Sequence, residues 1–315
     1  MARTILISLI IVSLFSSFNS FPPKEITLSE LKTLYKNYYL ASQVDSINWT
    51  NKGGCDPGII PSDVYEKAEK RINFFRLMNR LPSIKITGTK QKEAQAAAFM
   101  MDKNKALSHD PPASWKCYSK QGADGAKNSC LGMPNFRRLP HTAFITGFIA
   151  DPGDANYFVG HRRWLLYSKA TEFSLGATNN ALALYCTYNL SNDTLQNDFI
   201  AYPWSGYVPY NLIFSKWSFS IPETNEVDFS KVKVSIKNKK GILLPLQLMK
   251  EDKTSPERTI TWKVQGMFTA EEEKYSENKL KEKGYVGEEL IVRIENVSVN
   301  KKLRVYEYKI KITEL

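Results

Sequence analysis

The sequence contains little histidine and little cysteine: its 315 residues include three of the first and four of the second. No two cysteines have the C-x-x-C spacing, which argues against a zinc site made of cysteines. No G-x-S-x-G segment is present, so the sharp turn that exposes the nucleophile of many serine hydrolases is not indicated. After the first 20 residues, no segment is apolar enough to cross a bilayer.

The N-terminal segment has the pattern of a secretory signal peptide. Arg3 precedes the apolar run ILISLIIVSLF, the small polar residues SSFNS follow it, and the segment has no acidic residue. The apolar run is too short for a membrane anchor, although a retained signal anchor is the alternative. We therefore predict a signal peptide over residues 1–20, cleavage near Ser17 to Ser20, and a secreted, extracellular protein without a transmembrane span.

In a secreted protein, cysteines can form disulfide bonds and asparagines in N-x-S/T sequences can be glycosylated. An even number of cysteines in an exported chain predicts two disulfide bonds, and spacing alone leaves three pairings open. The cysteines are Cys55, Cys117, Cys130 and Cys186. The candidate glycosylation sites, each in an N-x-S/T sequence, are Asn48, Asn189, Asn192 and Asn296. The sequence thus predicts a disulfide-bonded glycoprotein.

The chain is basic, with 43 Lys and Arg against 32 Asp and Glu. A positive balance favours acidic partners, such as an acidic glycan or an anionic lipid surface. The lysines are scattered, however, and the one dense cluster, KNKK at Lys237 to Lys240, is typical of a hairpin turn. Nucleic acid is not expected as a partner, because an exported chain without a basic and aromatic platform does not fit it.

Helical patterns precede the central part of the chain. A helical segment is predicted within residues 21–52. Apolar residues recur at helical spacing from Tyr65 to Met78 and predict a helix over residues 63–81, capped by Ser62. A second helix is predicted after Gly88, and its run of three alanines at residues 96–98 indicates close packing inside a domain.

Two of the three histidines border the stretch from Ala106 to Leu166. His109 lies in LSHDPP at the end of the second helix, and His161 lies in GHRRWLL after the loop DPGDANYF. Both are in turn-rich contexts where a side chain can face a cleft. The third histidine, His141, follows a proline at a predicted helix start and is interpreted as a capping or surface residue.

Several motifs of this region occur in a characteristic order: INFFRLMNRL, KEAQAAAFMM, LSHDPP, CYSKQG, GHRRWLL, LGAT and ALALYC. This order resembles the CAP superfamily, whose SCP domain is shared by cysteine-rich secretory proteins, antigen 5 and pathogenesis-related 1 proteins. The resemblance covers about Gly53 to Tyr188. It is greatest to a secreted microbial-type branch with GGC-x-PG before the domain and a C-terminal β-domain after it.

The resemblance implies an α-β-α sandwich with a cleft in which two histidines meet, here His109 and His161. Many family members add two glutamates, one in a G-E-N motif, but the corresponding residues 127–132 read KNSCLG. The candidate replacements are Asp151 and Asp154, and we take Asp151 as the cleft acid. The resemblance also favours pairing Cys55 with Cys117, which leaves Cys130 with Cys186.

Two histidines and one carboxylate suit different kinds of chemistry. They could bind a divalent metal such as zinc through His109 and His161 with an open coordination position. They could instead act as a general base and its orienting acid without a metal. In the structural alternative, the histidines hydrogen-bond to backbone carbonyls and join helices. Arg162 and Arg163 could line an anionic ligand, or one of them could pair with Asp151 or Asp154.

After residue 200 the pattern changes to strands. Residues 201–214, rich in proline and aromatics, are interpreted as a packed linker. At least six short strands are predicted from Lys216 onward, and they favour an immunoglobulin-like sandwich. A charged insertion at residues 269–283 is expected to form an exposed loop or a short helix. The predicted class is α+β, with a CAP/SCP-like domain at 53–200 and a β-sandwich at 201–315.

The function predicted from these features is non-catalytic binding outside the cell. The expected ligand is a lipid, a glycan or a protein. The alternative is a metal-assisted hydrolase or protease-like enzyme that uses His109, His161 and Asp151. A structural surface protein with a vestigial cleft is a third hypothesis. The sequence does not identify catalytic residues, a ligand or an oligomeric state.

Overall fold

The computed structural model describes residues 24–43, 46–133, 141–192, 197–222, 226–254, 256–269, 272 and 279–315. The predicted signal peptide at residues 1–20 and most of the charged insertion at 269–283 lie outside these ranges. Secretion therefore stays a prediction.

Seven α-helices lie in the described ranges. They are α1 (Leu28–Leu34), α2 (Ser62–Met78), α3 (Gln91–Asn104), α4 (Lys120–Lys127), α5 (His141–Ala150), α6 (Gly160–Leu165) and α7 (Lys279–Glu282). The predicted helices after residue 62 and after Gly88 are confirmed as α2 and α3. Ser62 is the first residue of α2, whereas Pro61 holds the cap position. None of the helices seen in the described residues is long and apolar enough to cross a membrane.

Fourteen strands are present in the same ranges. They are β1 (Lys85–Ile86), β2 (Ser129–Gly132), β3 (Glu172–Ala177), β4 (Leu182–Tyr185), β5 (Ile200–Tyr202), β6 (Gly206–Pro209), β7 (Lys216–Ile221), β8 (Val227–Asp228), β9 (Lys233–Asn238), β10 (Leu243–Leu244), β11 (Leu246–Leu248), β12 (Arg258–Val264), β13 (Glu289–Val299) and β14 (Lys302–Thr313). They form three sheets, ordered β1-β3-β4-β2, β10-β9-β13-β14-β6 and β11-β12-β7-β5. The chain is therefore an α+β protein.

The first sheet has helices on both faces. Cys130 belongs to the core cluster that contains Phe144 and Phe148 of α5, whereas its neighbour Leu131 belongs to the cluster with Ala97 of α3. Successive residues of a strand point to opposite faces, so β2 lies between two helical layers. The predicted close packing of the alanine run is confirmed, because Ala97 and its neighbours are buried against the sheet and α4.

The second and third sheets pack against each other through aromatic side chains. Phe219 of β7 lies 5.0 Å from Tyr306 of β14, and Phe199 lies 5.7 Å from Tyr308, between ring centroids. Buried aromatic pairs of this kind add to the free energy of burial. The two sheets therefore share one core.

The interpretation of residues 201–214 as a linker is wrong. β5 pairs with β7 in the third sheet, and β6 pairs in parallel with β14 in the second. Prolines concealed these strands in the sequence, yet Pro203 lies between them and Pro209 is the last residue of β6. At such positions the missing backbone donor interrupts little of the ladder. The predicted domain boundary at residues 200 and 201 falls inside β5.

Candidate functional site

The clearest polar contact of the central stretch joins Asp151 to His161. The Asp151 carboxylate accepts a hydrogen bond from the His161 backbone N–H at 3.0 Å, and its second oxygen lies 2.8 Å from His161 Nδ1. A carboxylate partner places the proton of a neutral imidazole on Nδ1 and leaves Nε2 as the acceptor. Of the two candidate acids, Asp151 is the one that contacts His161, and its role as the cleft acid stays a prediction.

The local chain positions this pair. α5 ends at Ala150, Asp151 adopts a left-handed backbone conformation with φ of 50°, and the chain then turns through a 3-10 segment before α6 begins at Gly160. The Asp151 side chain is 1% exposed, while that of His161 is 24% exposed. The carboxylate is thus buried beneath an imidazole that solvent can still reach.

Aromatic residues form the wall beside His161. The imidazole is stacked on Phe148 with ring centroids 4.9 Å apart and an angle of 26° between the planes. Gly132, at the end of β2, provides the space for this wall, because a Cβ there would lie 2.8 Å from the Phe144 ring and 3.2 Å from that of Phe148. A side chain at position 132 would displace the rings that support His161.

The loop that carries Asp151 is held by a lysine of the C-terminal sheets. Lys216 of β7 is fully buried and donates to the carbonyl oxygens of Asp151 at 2.6 Å, Gly153 at 2.6 Å and Asn156 at 3.2 Å. Three acceptors for three ammonium protons compensate much of the loss of hydration. The loop conformation therefore depends on β7 as well as on α5 and α6.

Arg162 continues this junction. Its guanidinium donates to the Ile149 carbonyl at 2.6 Å and to Ser218 Oγ at 3.0 Å, and it lies over the Tyr202 ring. Burial lowers the pKa of Arg162 to about 10, so the side chain keeps its charge at neutral pH. Arg162 is thus a bridge between α5 and the third sheet, where it has no free face for an anionic ligand.

The sequence hypothesis of an arginine paired with Asp151 or Asp154 is corrected by the structure. Arg163 forms its ion pair with Asp252, at 3.1 Å, and also donates to the Glu257 carbonyl at 2.6 Å. Asp154 is exposed and lies 3.5 Å from Lys263. The partners of Arg163 lie about ninety residues after α6 in the sequence. No local sequence pattern could therefore have indicated them.

His109 has a different environment. It is exposed, and its Nδ1 lies 2.8 Å from the carbonyl oxygen of Ala126, near the end of α4. This is the backbone contact of the structural alternative. No hydrogen bond, ring contact or ion pair links His109 to His161 in the described part of the chain.

The described side chains do not fit a three-ligand zinc centre. No group of three or more His, Cys, Asp and Glu residues that could hold a metal is found among them. Asp151 already accepts two hydrogen bonds from His161, and one nitrogen of His109 is engaged by a carbonyl. A catalytic zinc site requires three converging protein donors and an open position. The assignment of metal to His109 and His161 has no third donor here.

The disulfide that joins Cys55 to Cys117 is confirmed, with Cα atoms 5.2 Å apart. Cys130 and Cys186 are buried free thiols with sulfur atoms 3.7 Å apart, so the expected second disulfide is not formed in this structure. Burial, reinforced by the neighbouring Cys186, raises the pKa of the Cys130 thiol. Strand pairing brings the two sulfurs together, but they lie beyond the bond length of about 2 Å.

Three of the four candidate glycosylation sites are exposed: Asn48, Asn189 and Asn192. Asn296 is half-buried in β13, beside an irregularity in its pairing with β14. Their modification stays a prediction.

The fold and this site define a class: an α+β protein in which a helical domain carries an Asp–His pair on a loop. Residues 70–190 match a family model described as CAP: Cysteine-rich secretory protein family. The matched range runs from α2 past β4 and includes His109, Asp151 and His161. In this range the chain is similar to that family, as the motifs of the sequence indicate. No curated protein and no solved structure matches the chain significantly.

Proposed function

We propose that this chain is a secreted, non-catalytic binding protein, in which a CAP-like α-β-α domain and an immunoglobulin-like sandwich act together on an extracellular lipid, glycan or protein. The Asp151–His161 contact carries the proposal. The carboxylate accepts from both the backbone and the ring of one residue, as a side chain does when it holds the start of a helix. This arrangement supports a structural role for the acid.

Other observations point in the same direction. The N-terminal segment has the order of a secretory signal, and the disulfide between Cys55 and Cys117 suits an oxidising compartment. The two histidines are engaged separately, His109 with a carbonyl and His161 with Asp151. What remains accessible is a partly exposed imidazole on an aromatic wall, which suits contact with a ligand better than hydrolysis.

The test measures binding and product formation together. The secreted protein is incubated with immobilised heparin and with phosphatidylserine vesicles, and the bound material is recovered and analysed by mass spectrometry. We expect retention on one of them, with the ligand recovered unchanged. Recovery of a hydrolysed lipid or glycan would contradict the proposal. Retention on neither would exclude these lipid and glycan surfaces and leave a protein as the partner.

The metal-assisted enzyme is kept as a second candidate because the 2.8 Å Asp–His contact also suits a general base with its orienting acid. Calorimetric titration with zinc separates the two functions. One equivalent bound by the wild type and lost in both His109→Ala and His161→Ala would favour the enzyme. No stoichiometric binding would favour the binding protein.

A further inference from the structure

The hairpin between β9 and β10 exposes aliphatic side chains beside lysines. Ile242 is 57% exposed and Leu243 is 59% exposed, and Leu248 of the adjoining β11 is 41% exposed. β10 and β11 are the edge strands of the second and third sheets and are separated by Pro245 alone. Apolar side chains at the edge of both sheets thus form one exposed segment, which we call the basic hairpin (Lys237–Leu248).

The strand register places aliphatic and basic groups on one face. Leu243 lies directly opposite Lys237, and on the other side of Lys237 lies Ile291 of β13. Residues directly opposite one another in neighbouring strands point to the same side of a sheet. The outer face of the second sheet therefore has a row in which Leu243, Lys237 and Ile291 are neighbours.

The tip of the hairpin is ordered by its own hydrogen bonds. The Asn238 side chain accepts from the backbone N–H groups of Lys240 and Ile242, each at 3.0 Å, and its carbonyl accepts from Gly241 at 2.8 Å. Gly241 has a φ of 79°, a value that glycine adopts without strain. A preformed tip loses little conformational entropy when it binds a surface.

The charge of this region is strongly positive. Residues 231–253 contain seven lysines and two acids, and both acids are paired with arginines: Glu251 with Arg258 at 2.5 Å and Asp252 with Arg163 at 3.1 Å. In the described part of the chain, no ion pair engages Lys237 or Lys240. The positive potential of the hairpin is therefore available to an acidic partner.

We propose that the basic hairpin docks the protein onto an anionic lipid surface. Aliphatic side chains inserted among headgroups and lysines beside them are the two contributions that hold proteins at such surfaces. A sulfated glycan would engage the lysines but would gain little from Ile242 and Leu243. A second copy of the chain would bring two positive hairpins together, and Pro245 interrupts the edge that would pair. Among the residues that the structure describes, none of those that contact His161 belongs to this hairpin.

The test compares two double variants, each of which replaces one exposed lysine and one exposed leucine by serine. Lys240→Ser/Leu243→Ser alters the basic hairpin, and Lys302→Ser/Leu303→Ser alters the β13–β14 hairpin, which lies at the opposite end of the same sheet and also exposes a leucine. Binding is measured by co-sedimentation with vesicles of equimolar phosphatidylcholine and phosphatidylserine. One lysine contributes about fivefold near an anionic surface, so with the leucine we expect the first variant to bind at least about tenfold more weakly. The second variant should bind like the wild type.

Three outcomes would overturn the proposal. The wild type fails to sediment with these vesicles, both variants lose affinity equally, or Leu243→Ser alone leaves vesicle binding unchanged. Retention on heparin that depends on Lys240 but not on Leu243, together with absent vesicle binding, would assign the hairpin to a glycan. Dimerisation of the wild type that Leu243→Ser abolishes, with no vesicle binding, would assign it to a second copy.

Discussion

The Lys216 ammonium donates a hydrogen bond of 2.6 Å to the carbonyl oxygen of Asp151, which lies 65 residues earlier in the sequence. Asp151 in turn accepts both hydrogen bonds from His161. The third sheet therefore supports the loop that orients the histidine of the CAP-like domain. Ser218, in the same strand, provides a second link between this sheet and α6, because its hydroxyl accepts a hydrogen bond from Arg162. The polar face of this sheet, buried against the loop, explains why serines and threonines alternate there with core aromatics.

The first prediction concerns Lys216. Lys216→Met keeps the length of the side chain but removes the Lys216 donor from the carbonyls of Asp151, Gly153 and Asn156. Backbone N–H groups still donate to the carbonyls of Gly153 and Asn156, so the loss is greatest at Asp151. Buried unpaired acceptors are costly, so we expect the free energy of unfolding to fall by about 2–4 kcal/mol. Urea denaturation measures the change. Lys240→Met, on the exposed hairpin, is the matched control and should remain within about 0.5 kcal/mol of the wild type. Equal midpoints for the two variants would show that the buried lysine does not support the loop.

The second prediction concerns the proton on His161. In the wild type, the neutral ring should carry its proton on Nδ1, because that nitrogen faces the Asp151 carboxylate at 2.8 Å. Asp151→Asn weakens this preference, since an amide can present an N–H where the carboxylate presented an oxygen. We expect the ¹⁵N chemical shifts of the ring to move toward the Nε2–H tautomer. His109, bound to a carbonyl in another part of the domain, serves as the internal control and should not shift. An unchanged His161 spectrum would contradict the assignment of Asp151 as the orienting acid.

The sequence was sufficient to predict those parts of the site that are close together along the chain. Asp151 and His161 are ten residues apart, at the two ends of the loop between α5 and α6, and the resemblance had named Asp151 and Asp154 as the candidate acids before His161. His109 was predicted at the C-terminal edge of the second helix, whereas α3 ends at Asn104, five residues earlier. The partner of His109 depends on how α4 packs. Gly125 allows that packing, because a Cβ there would lie 2.0 Å from the Glu93 carbonyl oxygen.

The remaining contacts follow from tertiary docking and have no local signal. Lys216 begins a strand that looks like any other amphipathic strand, and nothing in its neighbourhood shows that its ammonium is buried. Arg163 selects Asp252, 89 residues later, over the nearer aspartates. Proline near Tyr202 and Trp204 obscured β5 and β6, although both of these aromatic side chains are buried in the core. Propensity is a weak guide where packing decides the structure.

The third prediction uses the pH dependence of Glu30. A hydrogen bond from Arg80, with a further one from the Thr27 backbone, lowers the pKa of Glu30 from 4.5 to about 2. A carboxyl with a depressed pKa in the folded state stabilises the fold above its unfolded pKa. This contribution is lost as the pH falls from about 4.5 toward 2. Because the side chain is one-third exposed, solvent limits the contribution to about 1 kcal/mol.

Glu30→Gln should therefore destabilise the protein near neutral pH and have a smaller effect as the pH approaches 2. Denaturant titrations of both proteins at several pH values measure the difference. Glu314→Gln, at an exposed pair near the C-terminus, is a control without a capping role. A difference that stays constant down to acidic pH would show that the charge of Glu30 contributes nothing.

The last prediction concerns Cys130 and Cys186. Their sulfurs are 3.7 Å apart, whereas Cys55 and Cys117 already form a bond, so oxidation should join Cys130 to Cys186 without exchange between the pairs. Transfer of two electrons and two protons to a disulfide reagent such as oxidised dithiothreitol would close the bond. The thiolate is the reacting species, and the raised pKa of the buried Cys130 makes the native protein react slowly and the unfolded chain quickly. Peptide mapping of the refolded, oxidised protein, with Cys130→Ala as the control that retains only the first bond, tests this expectation. A peptide that links Cys117 to Cys130 would contradict it, because the structure already commits Cys117 to Cys55.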